Sequence, residues 1–574
     1  MKKLLMPLVL FSLMFQQTLF AEGESRDRAG AEWVEKTLKS LSLREKIGQM
    51  MMVSFSGEFA NFGGERFAET RRRIEKLGLG GFTLFRGEAN SIAALTNEAQ
   101  RLAKIPLFFS ADYERGLRMQ LRTGTPFTTN MGVAAAGDPE AVYRQGKIIC
   151  AEMRAIGANW LFAPVADVNN NPDNPVINIR SFGADPQKVG EFVAAEVRGV
   201  REAGCLATLK HFPGHGNTAV DSHIGLSTIP ADANELNAVE LAPFKTAILS
   251  GVDSVMTAHL AVPNVTGDSV PASLNPKITT DILRKELKFD GIITTDSLEM
   301  GAITKNYPNG ESAVLAVKAG ADLVLFPPDV DAAIDAVEAA VKRGEITESR
   351  LDESVRRLLS AKYRLGLTKN RFVDPARVNE LVEKPENVAE ANRVAERSIT
   401  LLRNDGRVFP LSKDAAAKTL FVVVAADDDA QEGASLAPEI RKRVPNARFV
   451  RLDPRSTPDE YARVLDDAGK SETVLLAPFV KRTAGKGTVA LPENQAAFVK
   501  RVLAAKNDRT MVVAFGNPYM IRQFPEAKNY VVTYAVEDVA QLALVKALFG
   551  ETPFRGKLPI EIPDLFRVGA GIAD

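Results

Sequence analysis

Histidine is scarce in this sequence, because the 574 residues contain only four. Three of them, His211, His215 and His223, fall within the stretch 210–223, and His259 follows later in the chain. Imidazole can donate and accept a proton near neutral pH, and loops often carry functional residues. This concentration of histidine therefore indicates catalysis or substrate binding, with a chance cluster as the alternative.

A metal site is a further alternative for the same stretch, which reads KHFPGHGNTAVDSH. Two histidines four residues apart can bind one metal ion when they lie on one face of a helix. Here Pro213 and Gly214 stand between them, and neither residue suits a helix interior. The spacing therefore predicts no metal site, and no organic cofactor is indicated.

The chain has no excess of either charge, since 72 basic residues balance 72 acidic residues. A strongly basic surface is the usual electrostatic signature of proteins that bind nucleic acid or anionic membranes. The balance gives no support for nucleic acid as a partner, and it suits a neutral substrate. The length favours two domains.

Long apolar runs are absent apart from the N-terminus. Lys2 and Lys3 precede an apolar run over residues 4–15, and a cleavage site follows at Ala21. This pattern predicts a signal peptide over residues 1–21 and a periplasmic or secreted protein. This run is shorter than the apolar segment that a transmembrane helix needs, so we expect no stable membrane anchor. No cysteine lies near the cleavage site, which argues against a lipoprotein.

Cysteine is as scarce as tryptophan, with two residues of each. Cys150 and Cys205 could pair in an oxidising compartment. Both lie in apolar helix or strand patterns, however, and free cysteine is commonly buried. The local pattern therefore favours two buried free thiols.

Eight apolar segments rich in β-branched and aromatic residues alternate with helical patterns over residues 30–367. Near-continuous apolar strands separated by helices are typical of a parallel sheet covered on both faces, and eight such units predict a (β/α)₈ TIM-type barrel. Ser42 and Glu45 have the capping-box spacing and predict a helix start before the first strand. The predicted strands are 51–55, 81–85, 106–112, 161–168, 206–212, 254–262, 291–298 and 322–327.

Polar residues stand at or just beyond the carboxyl ends of five predicted strands. These residues are Asp112, Asp167, Lys210 with His211, His259 and Asp296. Barrel enzymes place their catalytic groups at this end of the barrel. The pattern therefore predicts one functional site built from several strands.

A second domain is predicted over residues 389–574, after a polar linker at 368–388. Five further strands, at 420–426, 447–452, 473–479, 510–515 and 530–535, alternate with helices. They predict a smaller three-layer α/β sandwich domain with a mostly parallel sheet. The glycine-rich run TAGKGT at 483–488 lacks the spacing of a phosphate-binding loop and is interpreted as a mobile surface loop.

Asp296 and the segment Asp221–Ser222–His223 carry the chemical prediction. Asp296 follows an apolar strand, where an unpaired charge is costly, so it is either an ion-pair partner or a catalytic group. Asp221 can fold back onto His223, fix its tautomer and stabilise the imidazolium. A nucleophilic carboxylate with an acid/base histidine describes a double displacement at an anomeric carbon.

Several motifs together resemble glycoside hydrolase family 3, and within it the β-N-acetylglucosaminidases of the NagZ type. The resemblance covers nearly all of the chain after the predicted signal peptide, and the combination of KHFPGHG with DSH is its most specific part. The motifs are PLFFSADYERGLRMQ, NIRSFG, KHFPGHGNTAVDSHIGL, MTAH, TTDSLEM, SITLLRNDGRVFPL and GKLPIEIP.

This resemblance implies a retaining exo-β-N-acetylglucosaminidase that acts on muropeptides or chito-oligosaccharides. It implies that Asp296 is the nucleophile and His223 the general acid/base, assisted by Asp221. The positions that hold the terminal sugar in the family correspond to Asp112, Arg180, Lys210 and His211. His215 is either a substrate contact or a loop-stabilising residue, and His259 is a strand-end residue or a substrate contact.

Two alternatives to this function remain open. The family also contains β-glucosidases and β-xylosidases, whose acid/base is usually a glutamate from the second domain, and the DSH motif argues against that branch. A sugar-binding protein without catalysis is the other alternative. The sequence also departs from the family at Asn217 and at Gln120, and Arg115 or Arg118 could replace the sugar contact put in doubt at position 120.

Overall fold

The computed structural model describes residues 28–573. The predicted signal peptide therefore lies outside the described residues. Within them the chain forms sixteen strands, labelled here in chain order: β1 (Met51–Gly57), β2 (Gly81–Gly87), β3 (Phe108–Ala111), β4 (Trp160–Leu161), β5 (Leu206–Phe212), β6 (Ser227–Thr228), β7 (Ser254–Thr257), β8 (Leu260–Ala261), β9 (Ile292–Thr295), β10 (Val324–Leu325), β11 (Thr400–Asn404), β12 (Thr419–Ala425), β13 (Arg448–Leu452), β14 (Thr473–Val480), β15 (Thr510–Gly516) and β16 (Asn529–Val532).

Helices separate these strands along the whole described chain. No helix within residues 28–573 is both long and apolar enough to cross a bilayer. The helices are 28–40, Leu43–Gln49, Glu65–Glu75, Ala89–Leu102, Asn130–Ala136, Pro139–Ala155, Pro186–Glu202, Ala233–Glu235, Leu236–Glu240, Ala242–Leu249, Pro263–Thr266, Lys277–Glu286, Gly301–Thr304, Glu311–Ala319, Val330–Lys342, Glu348–Arg364, Val378–Leu381, Pro385–Ser398, Lys413–Ala417, Leu436–Arg443, Pro458–Lys470, Glu493–Lys506 and Asp538–Leu548. Short 3₁₀ turns occur at Leu117–Met119, Asn178–Arg180, Ala272–Leu274, Pro375–Arg377, Asn507–Arg509 and Pro518–Gln523.

Eight strands of the described chain form one parallel sheet in the order β10-β1-β2-β3-β4-β5-β7-β9. The Thr295 N–H donates to the Leu323 carbonyl at 3.1 Å, which joins the two ends of the sheet into a barrel. The predicted (β/α)₈ barrel is confirmed. The predicted strand 254–262 is divided, because β7 belongs to the barrel while β8 pairs with β6 in a separate two-stranded sheet.

The barrel interior is packed with large side chains instead of forming a pore. The rings of Phe108 and Trp160 lie with centroids 4.9 Å apart, and Ser110 Oγ contacts Met52 Sδ. Trp160 is fully buried, and its Nε1–H donates to Thr208 Oγ1 at 2.7 Å. Pairing the indole N–H in this way avoids the cost of an unsatisfied buried donor.

The first barrel helix starts as the sequence predicts. The Ser42 N–H donates to Glu45 Oε2 at 2.8 Å, and the Glu45 N–H donates to Ser42 Oγ at 3.3 Å. This reciprocal arrangement satisfies two amide donors that a helix start leaves free.

The second domain is a six-stranded sheet in the order β11-β16-β15-β14-β12-β13, counted within the described residues. Separate apolar clusters cover its two faces, so that it forms the predicted three-layer sandwich. The sheet is parallel except for β11, which pairs antiparallel with β16. β11 was not among the predicted strands, and its partner lies more than a hundred residues further along the chain.

The two domains meet along loops that follow β3 and β4. Arg115 and Arg118 form ion pairs with Glu537 (2.6 Å) and Asp538 (3.2 Å) of the second domain. Asn169 Nδ2 also donates to the hydroxyl of Tyr519 at 2.8 Å. Loops that follow parallel strands lie at the carboxyl end of a barrel. The second domain therefore borders the end of the barrel where the site is expected.

Cys150 and Cys205 form a disulfide, which corrects the interpretation of both as free thiols. Cys150 lies on the helix Pro139–Ala155, and Cys205 immediately precedes β5. Packing of the helices around the barrel brings their Cα atoms to 5.9 Å. The local apolar pattern correctly indicated that both cysteines are buried. It could not indicate that two cysteines 55 residues apart in the sequence lie next to each other.

Glu196, on the helix Pro186–Glu202, is fully buried next to the barrel. Neither of its carboxylate oxygens has a hydrogen-bond partner among the described residues. Burial raises its pKa to about 8, and the nearby negative charge of Glu114 adds to the effect. Glu196 is therefore a neutral carboxylic acid at neutral pH.

Glu196 should make the protein less stable as the pH rises from about 4.5 to about 8. In this window the unfolded chain releases the carboxyl proton while the folded protein retains it. The free energy of unfolding therefore decreases as the pH increases. We expect Glu196→Gln to increase the free energy of unfolding, relative to wild type, by on the order of 3 kcal/mol more at pH 8 than at pH 5. Denaturant titrations at both pH values measure this difference. Glu191→Gln, an exposed change on the same helix, is the control, and a parallel shift of both variants would contradict the assignment.

Candidate active site

A cavity of about 360 Å³ opens at the carboxyl end of the barrel. Seven of the nine predicted site residues line this cavity. They are Asp112, Arg180, Lys210, His211, His215, His223 and Asp296. The remaining two, Asp221 and His259, lie behind this lining and hydrogen-bond to it. The structure therefore brings together residues that are separated by up to 184 positions in the sequence, from Asp112 to Asp296.

Asp296 directly follows β9 and presents its carboxylate to the cavity. Its backbone N–H donates to the Thr257 carbonyl at 2.9 Å, and its Oδ1 accepts from the Ser297 N–H at 2.7 Å. Burial alone would raise the pKa of Asp296, but His211 and His259 nearby and the Ser297 N–H bring it below the ordinary value. Asp296 is therefore ionised, and the hydrogen bonds leave Oδ2 facing the cavity without a partner among the described residues.

His223 and Asp221 form a hydrogen-bonded pair in the loop after β5. Asp221 Oδ1 lies 2.7 Å from His223 Nδ1 and also accepts from the His223 N–H at 2.9 Å. The Asp221 side chain is fully buried, whereas the His223 side chain is 34% exposed. The carboxylate therefore fixes Nδ1 as the protonated nitrogen and leaves Nε2 directed away from Asp221.

The second carboxylate oxygen of Asp221 is held by the second domain. The Gly485 N–H donates to Asp221 Oδ2 at 2.9 Å. Burial raises the pKa of Asp221, but the donors from His223 and Gly485 outweigh burial and lower it. The glycine-rich loop 483–488 lies at the surface, as predicted, and at Gly485 it also contacts the barrel, which the sequence pattern did not indicate.

Three charged residues surround Lys210, which lies near the end of β5. Its Nζ is 2.6 Å from Asp112 Oδ1 and 2.7 Å from Glu114 Oε1. Glu114 also receives the Arg180 guanidinium through two contacts, at 2.7 and 3.1 Å. Burial disfavours charge on Glu114, but Arg180 and Lys210 hold its pKa well below the ordinary value. Glu114 is therefore an ionised carboxylate that joins the two cations Lys210 and Arg180.

His211 is oriented by Asp167, which is completely buried behind β4. Asp167 Oδ2 lies 2.7 Å from His211 Nδ1, and Oδ1 accepts from the N–H groups of His211 (3.1 Å) and His215 (2.6 Å). Burial would raise the pKa of Asp167, but these contacts lower it. The Nε2 of His211 lies 3.2 Å from Arg180 Nη2, at hydrogen-bond distance from the guanidinium.

His215 belongs to a tightly packed loop. Its Nδ1 lies 2.8 Å from Thr218 Oγ1 and its Nε2 lies 3.0 Å from Ser222 Oγ. Burial, together with the nearby His211, lowers its pKa to about 4. Gly216 in this loop lies so close to the Val168 carbonyl oxygen that a Cβ would come within 1.6 Å, which explains the glycine. His215 therefore fixes the loop that carries Ser222 and His223, although its edge also lines the cavity.

His259 does not line the cavity. Its Nδ1 is 2.7 Å from Ser273 Oγ, and its Nε2 donates to the Ser297 carbonyl oxygen at 2.7 Å. Burial lowers its pKa. The ring therefore supports the backbone next to Asp296, and it has no direct path to a substrate in the cavity.

Three further residues of the site were not identified from the sequence. Glu114 lies two positions after Asp112, and the two side chains both contact Lys210. This Asp-x-Glu spacing was the available signal for Glu114. Arg482 lines the cavity from the second domain, and Gly485 contacts Asp221. No signal marked these two, because their proximity to the barrel depends on domain packing.

Arg115 and Arg118 do not replace the sugar contact at Gln120, since both form the interdomain ion pairs described above. Gln120 itself lines the cavity. Among the residues that the structure describes, no group of three or more His, Cys, Asp or Glu side chains is placed to hold a metal ion. The side chains that line the cavity can supply nucleophilic attack by a carboxylate and proton transfer by an oriented imidazole.

The chain matches known proteins over both domains. Residues 42–361 match the "Glycosyl hydrolase family 3 N terminal domain", and residues 399–567 match the "Glycosyl hydrolase family 3 C-terminal domain". A "Beta-N-acetylglucosaminidase/beta-glucosidase" of Cellulomonas fimi is 28% identical over 571 residues, which cover 95% of this chain and 98% of the relative.

Solved structures also resemble the chain over nearly its full length. A glycoside hydrolase family 3 beta-N-acetylglucosaminidase from Paenibacillus sp. str. FPU-7 is 35% identical with a TM-score of 0.80, and the match covers 91% of this chain and 99% of that one. "Beta-glucoside phosphorylase BglX" bound to 2FGlc is 26% identical with a TM-score of 0.82, covering 93% and 97%. Since the family's N-terminal domain alone accounts for more than half of the 574 residues, the chain belongs to glycoside hydrolase family 3.

Proposed function

We propose that the protein is a retaining exo-β-N-acetylglucosaminidase that removes terminal, non-reducing β-linked N-acetylglucosamine from peptidoglycan fragments or chito-oligosaccharides. The observation that carries the proposal is the shared cavity of an ionised Asp296 and a His223 that Asp221 orients. The names of the Cellulomonas and Paenibacillus relatives support the sugar assignment.

Hydrolysis proceeds in two displacements. In the first, Asp296 Oδ2 forms an ester bond to the anomeric carbon while the glycosidic bond breaks, and His223 gives its Nε2 proton to the leaving oxygen. In the second, His223 takes a proton from water, the water oxygen bonds to the anomeric carbon, and the ester to Asp296 breaks. Two inversions leave the β configuration unchanged.

A histidine in the acid role suits this cavity. The usual retaining pair consists of two carboxyl groups, and the two repel each other when both are ionised. An imidazole next to Asp296 avoids that repulsion in either protonation state. Asp221 stabilises the imidazolium formed when His223 accepts a proton, since its buried carboxylate contacts Nδ1 at 2.7 Å.

The charge cluster around Lys210 provides the contacts for the sugar hydroxyl groups. Asp112 and Lys210 supply an acceptor and a donor next to each other, and Arg180 and His211 extend the set. Because the two carboxylates Asp112 and Glu114 pair with the two cations, these donors are fixed in place without leaving a net charge in the cluster.

A panel of aryl β-glycosides that differ only at C2 tests the proposed substrate. Turnover of the N-acetylglucosaminide with little turnover of the glucoside is the expected result. The Cellulomonas relative carries both activities in its name, so a β-glucosidase is the second candidate. Preferential turnover of the glucoside would support that candidate and contradict ours.

Asp296→Asn should abolish turnover while the protein stays folded, because an amide cannot form the glycosyl ester. We expect a loss of kcat of at least about 10³- to 10⁴-fold, measured with an aryl N-acetylglucosaminide. Asp290→Asn, an exposed change just before the same strand β9, is the matched control and should keep wild-type activity. A 2-fluoro glycoside should label Asp296 in the wild type, and a labelled peptide from another segment would contradict the nucleophile assignment.

His223→Ala should affect substrates according to their leaving group, because acid assistance matters only when the departing oxygen is basic. We expect a loss of about 10²- to 10⁴-fold on a natural disaccharide and a far smaller loss of the glycosylation rate on an activated nitrophenyl glycoside. Asp221→Ala should show the same pattern more weakly, since the imidazole remains but loses its orientation. Equal losses of kcat/KM on both substrates would assign His223 to sugar positioning.

We also propose that the protein is periplasmic or secreted. The N-terminal pattern of residues 1–21 and the Cys150–Cys205 disulfide both support export, since structural disulfides are rare in the cytosol. The exported protein should begin at Glu22 and show no titratable thiol after unfolding without reductant. N-terminal sequencing and a thiol assay measure both, and two free thiols in a chain that begins at Met1 would contradict the proposal.

A further inference from the structure

Arg482 reaches the cavity from the second domain. It lies in the loop after β14 and lines the same cavity as His223 and Asp296. Its guanidinium has no hydrogen bond or ion pair with any residue in the described part of the chain, and its Nε is shielded from solvent without a partner. The Nε–H therefore lacks both water and a protein acceptor, and the guanidinium lacks a counter-charge within hydrogen-bond distance among the described residues.

The other cations near the cavity are paired. Lys210 contacts Asp112 and Glu114, and Arg180 contacts Glu114. Arg115 and Arg118, which lie on the adjacent loop, pair with acidic residues of the second domain. Among the residues described, Arg482 is thus the cavity cation that lacks a carboxylate partner.

Arg482 remains charged despite this environment. Burial, reinforced by the positive charges of Arg180 and Arg115, lowers its pKa, while Glu114 and Asp221 act in the opposite direction. The resulting pKa of about 10 keeps the guanidinium protonated at neutral pH. An oxyanion placed next to it would supply the missing counter-charge.

The loop holds Arg482 beside the predicted acid/base pair. Gly485, three positions further on, donates its N–H to Asp221 Oδ2. The following residue, Lys486, forms an ion pair with Asp427 of the second domain. The loop is therefore attached both to the barrel and to its own domain, and Arg482 lies close enough to Asp221 for their charges to interact.

We propose that Arg482 is an anion-binding residue that binds a carboxylate or phosphate oxyanion next to the bond that is cleaved. The proposal rests on the proposed glycosidase function and specifies the chemistry of the group beyond the terminal sugar. A planar guanidinium donates two parallel N–H bonds to a carboxylate or phosphate, which gives geometric selectivity as well as attraction. The oxyanion is either a substituent of the leaving group or free inorganic phosphate that enters the site.

Two substrates that differ in one charge test the first source. They are β-N-acetylglucosaminides of 3-carboxyphenol and of its uncharged carboxamide. We expect Arg482→Gln to lower the ratio of kcat/KM for the charged over the uncharged substrate by about 10- to 100-fold, the range of a charge-assisted hydrogen bond. Arg482→Lys should recover part of the ratio, because it restores the charge without the two parallel donors.

Lys481→Gln is the matched control for this experiment. Lys481 is the neighbouring cation in the same loop, but it pairs with Asp429 at 3.4 Å and does not line the cavity. It should therefore leave the ratio within about twofold of wild type, since exposed ion pairs contribute little. The midpoint of thermal unfolding of Arg482→Gln should be no lower than that of wild type, because the guanidinium has no hydrogen bond or ion pair to lose among the described residues.

Inorganic phosphate tests the second source. The rate for the uncharged carboxamide substrate is measured against phosphate concentration at constant ionic strength in wild type, Arg482→Gln and Lys481→Gln. A phosphate dependence that is lost only in Arg482→Gln would assign the site to free phosphate. A change confined to the carboxylate ratio would assign it to the leaving group.

The inference is overturned if Arg482→Gln alters neither the carboxylate ratio nor the phosphate dependence. It is also overturned if the variant lowers kcat/KM for both substrates equally, because Arg482 would then act on a group that the two substrates share. Turnover of the uncharged N-acetylglucosaminide by wild type reports separately on the proposed function, so the two failures are distinguishable.

Discussion

Glu114 lies between two cations that come from different parts of the barrel, and the whole sugar side of the cavity depends on it. Lys210 comes from β5 and Arg180 from the long loop after β4, and both contact the Glu114 carboxylate. Removing one partner of a buried ion pair typically costs about 3 to 5 kcal/mol, because the remaining charge is left uncompensated. Glu114 therefore sets the positions of both cations, and through Arg180 it also sets the hydrogen bond to His211.

The carboxylates of the site differ in function because their partners differ. Asp167 is fully buried, and both of its carboxylate oxygens form hydrogen bonds with His211 and His215. Asp221 likewise uses both oxygens, on His223 and on Gly485. Asp296 accepts one backbone hydrogen bond and faces the cavity. Asp296 thus presents to the cavity a carboxylate oxygen without a protein partner among the described residues, which is the requirement for a nucleophile.

The second domain contributes to the site through one loop. Its backbone at Gly485 completes the hydrogen bonding of Asp221, and the side chain of Arg482 adds a charge to the cavity wall. The interdomain ion pairs of Arg115 and Arg118 fix the orientation in which this loop reaches the barrel. The proposed acid is His223 from the barrel, and the second domain acts on it by holding Asp221. A change in domain packing would therefore alter proton transfer without altering any residue that touches the sugar.

The amino-acid sequence by itself determined the barrel, the second sandwich domain and the placement of most site residues. Apolar segments repeated with helical patterns between them predict parallel strands, and a parallel barrel places every strand end on one face. Asp112, Lys210, His211 and Asp296 could therefore be assigned to one site before any contact was known. The Asp221–His223 pair was accessible for a different reason, since two residues with one between them can meet locally.

Tertiary structure alone decided the contacts that join distant segments. The Cys150–Cys205 disulfide, the antiparallel pairing of β11 with β16, and the approach of Gly485 and Arg482 to the barrel have no local signature. His259 illustrates the same limit, because its strand-end position suggested a substrate contact while its two hydrogen bonds turn it away from the cavity. Periodicity reports which face of an element is buried, whereas the identity of the neighbour on that face follows from how helices and domains pack.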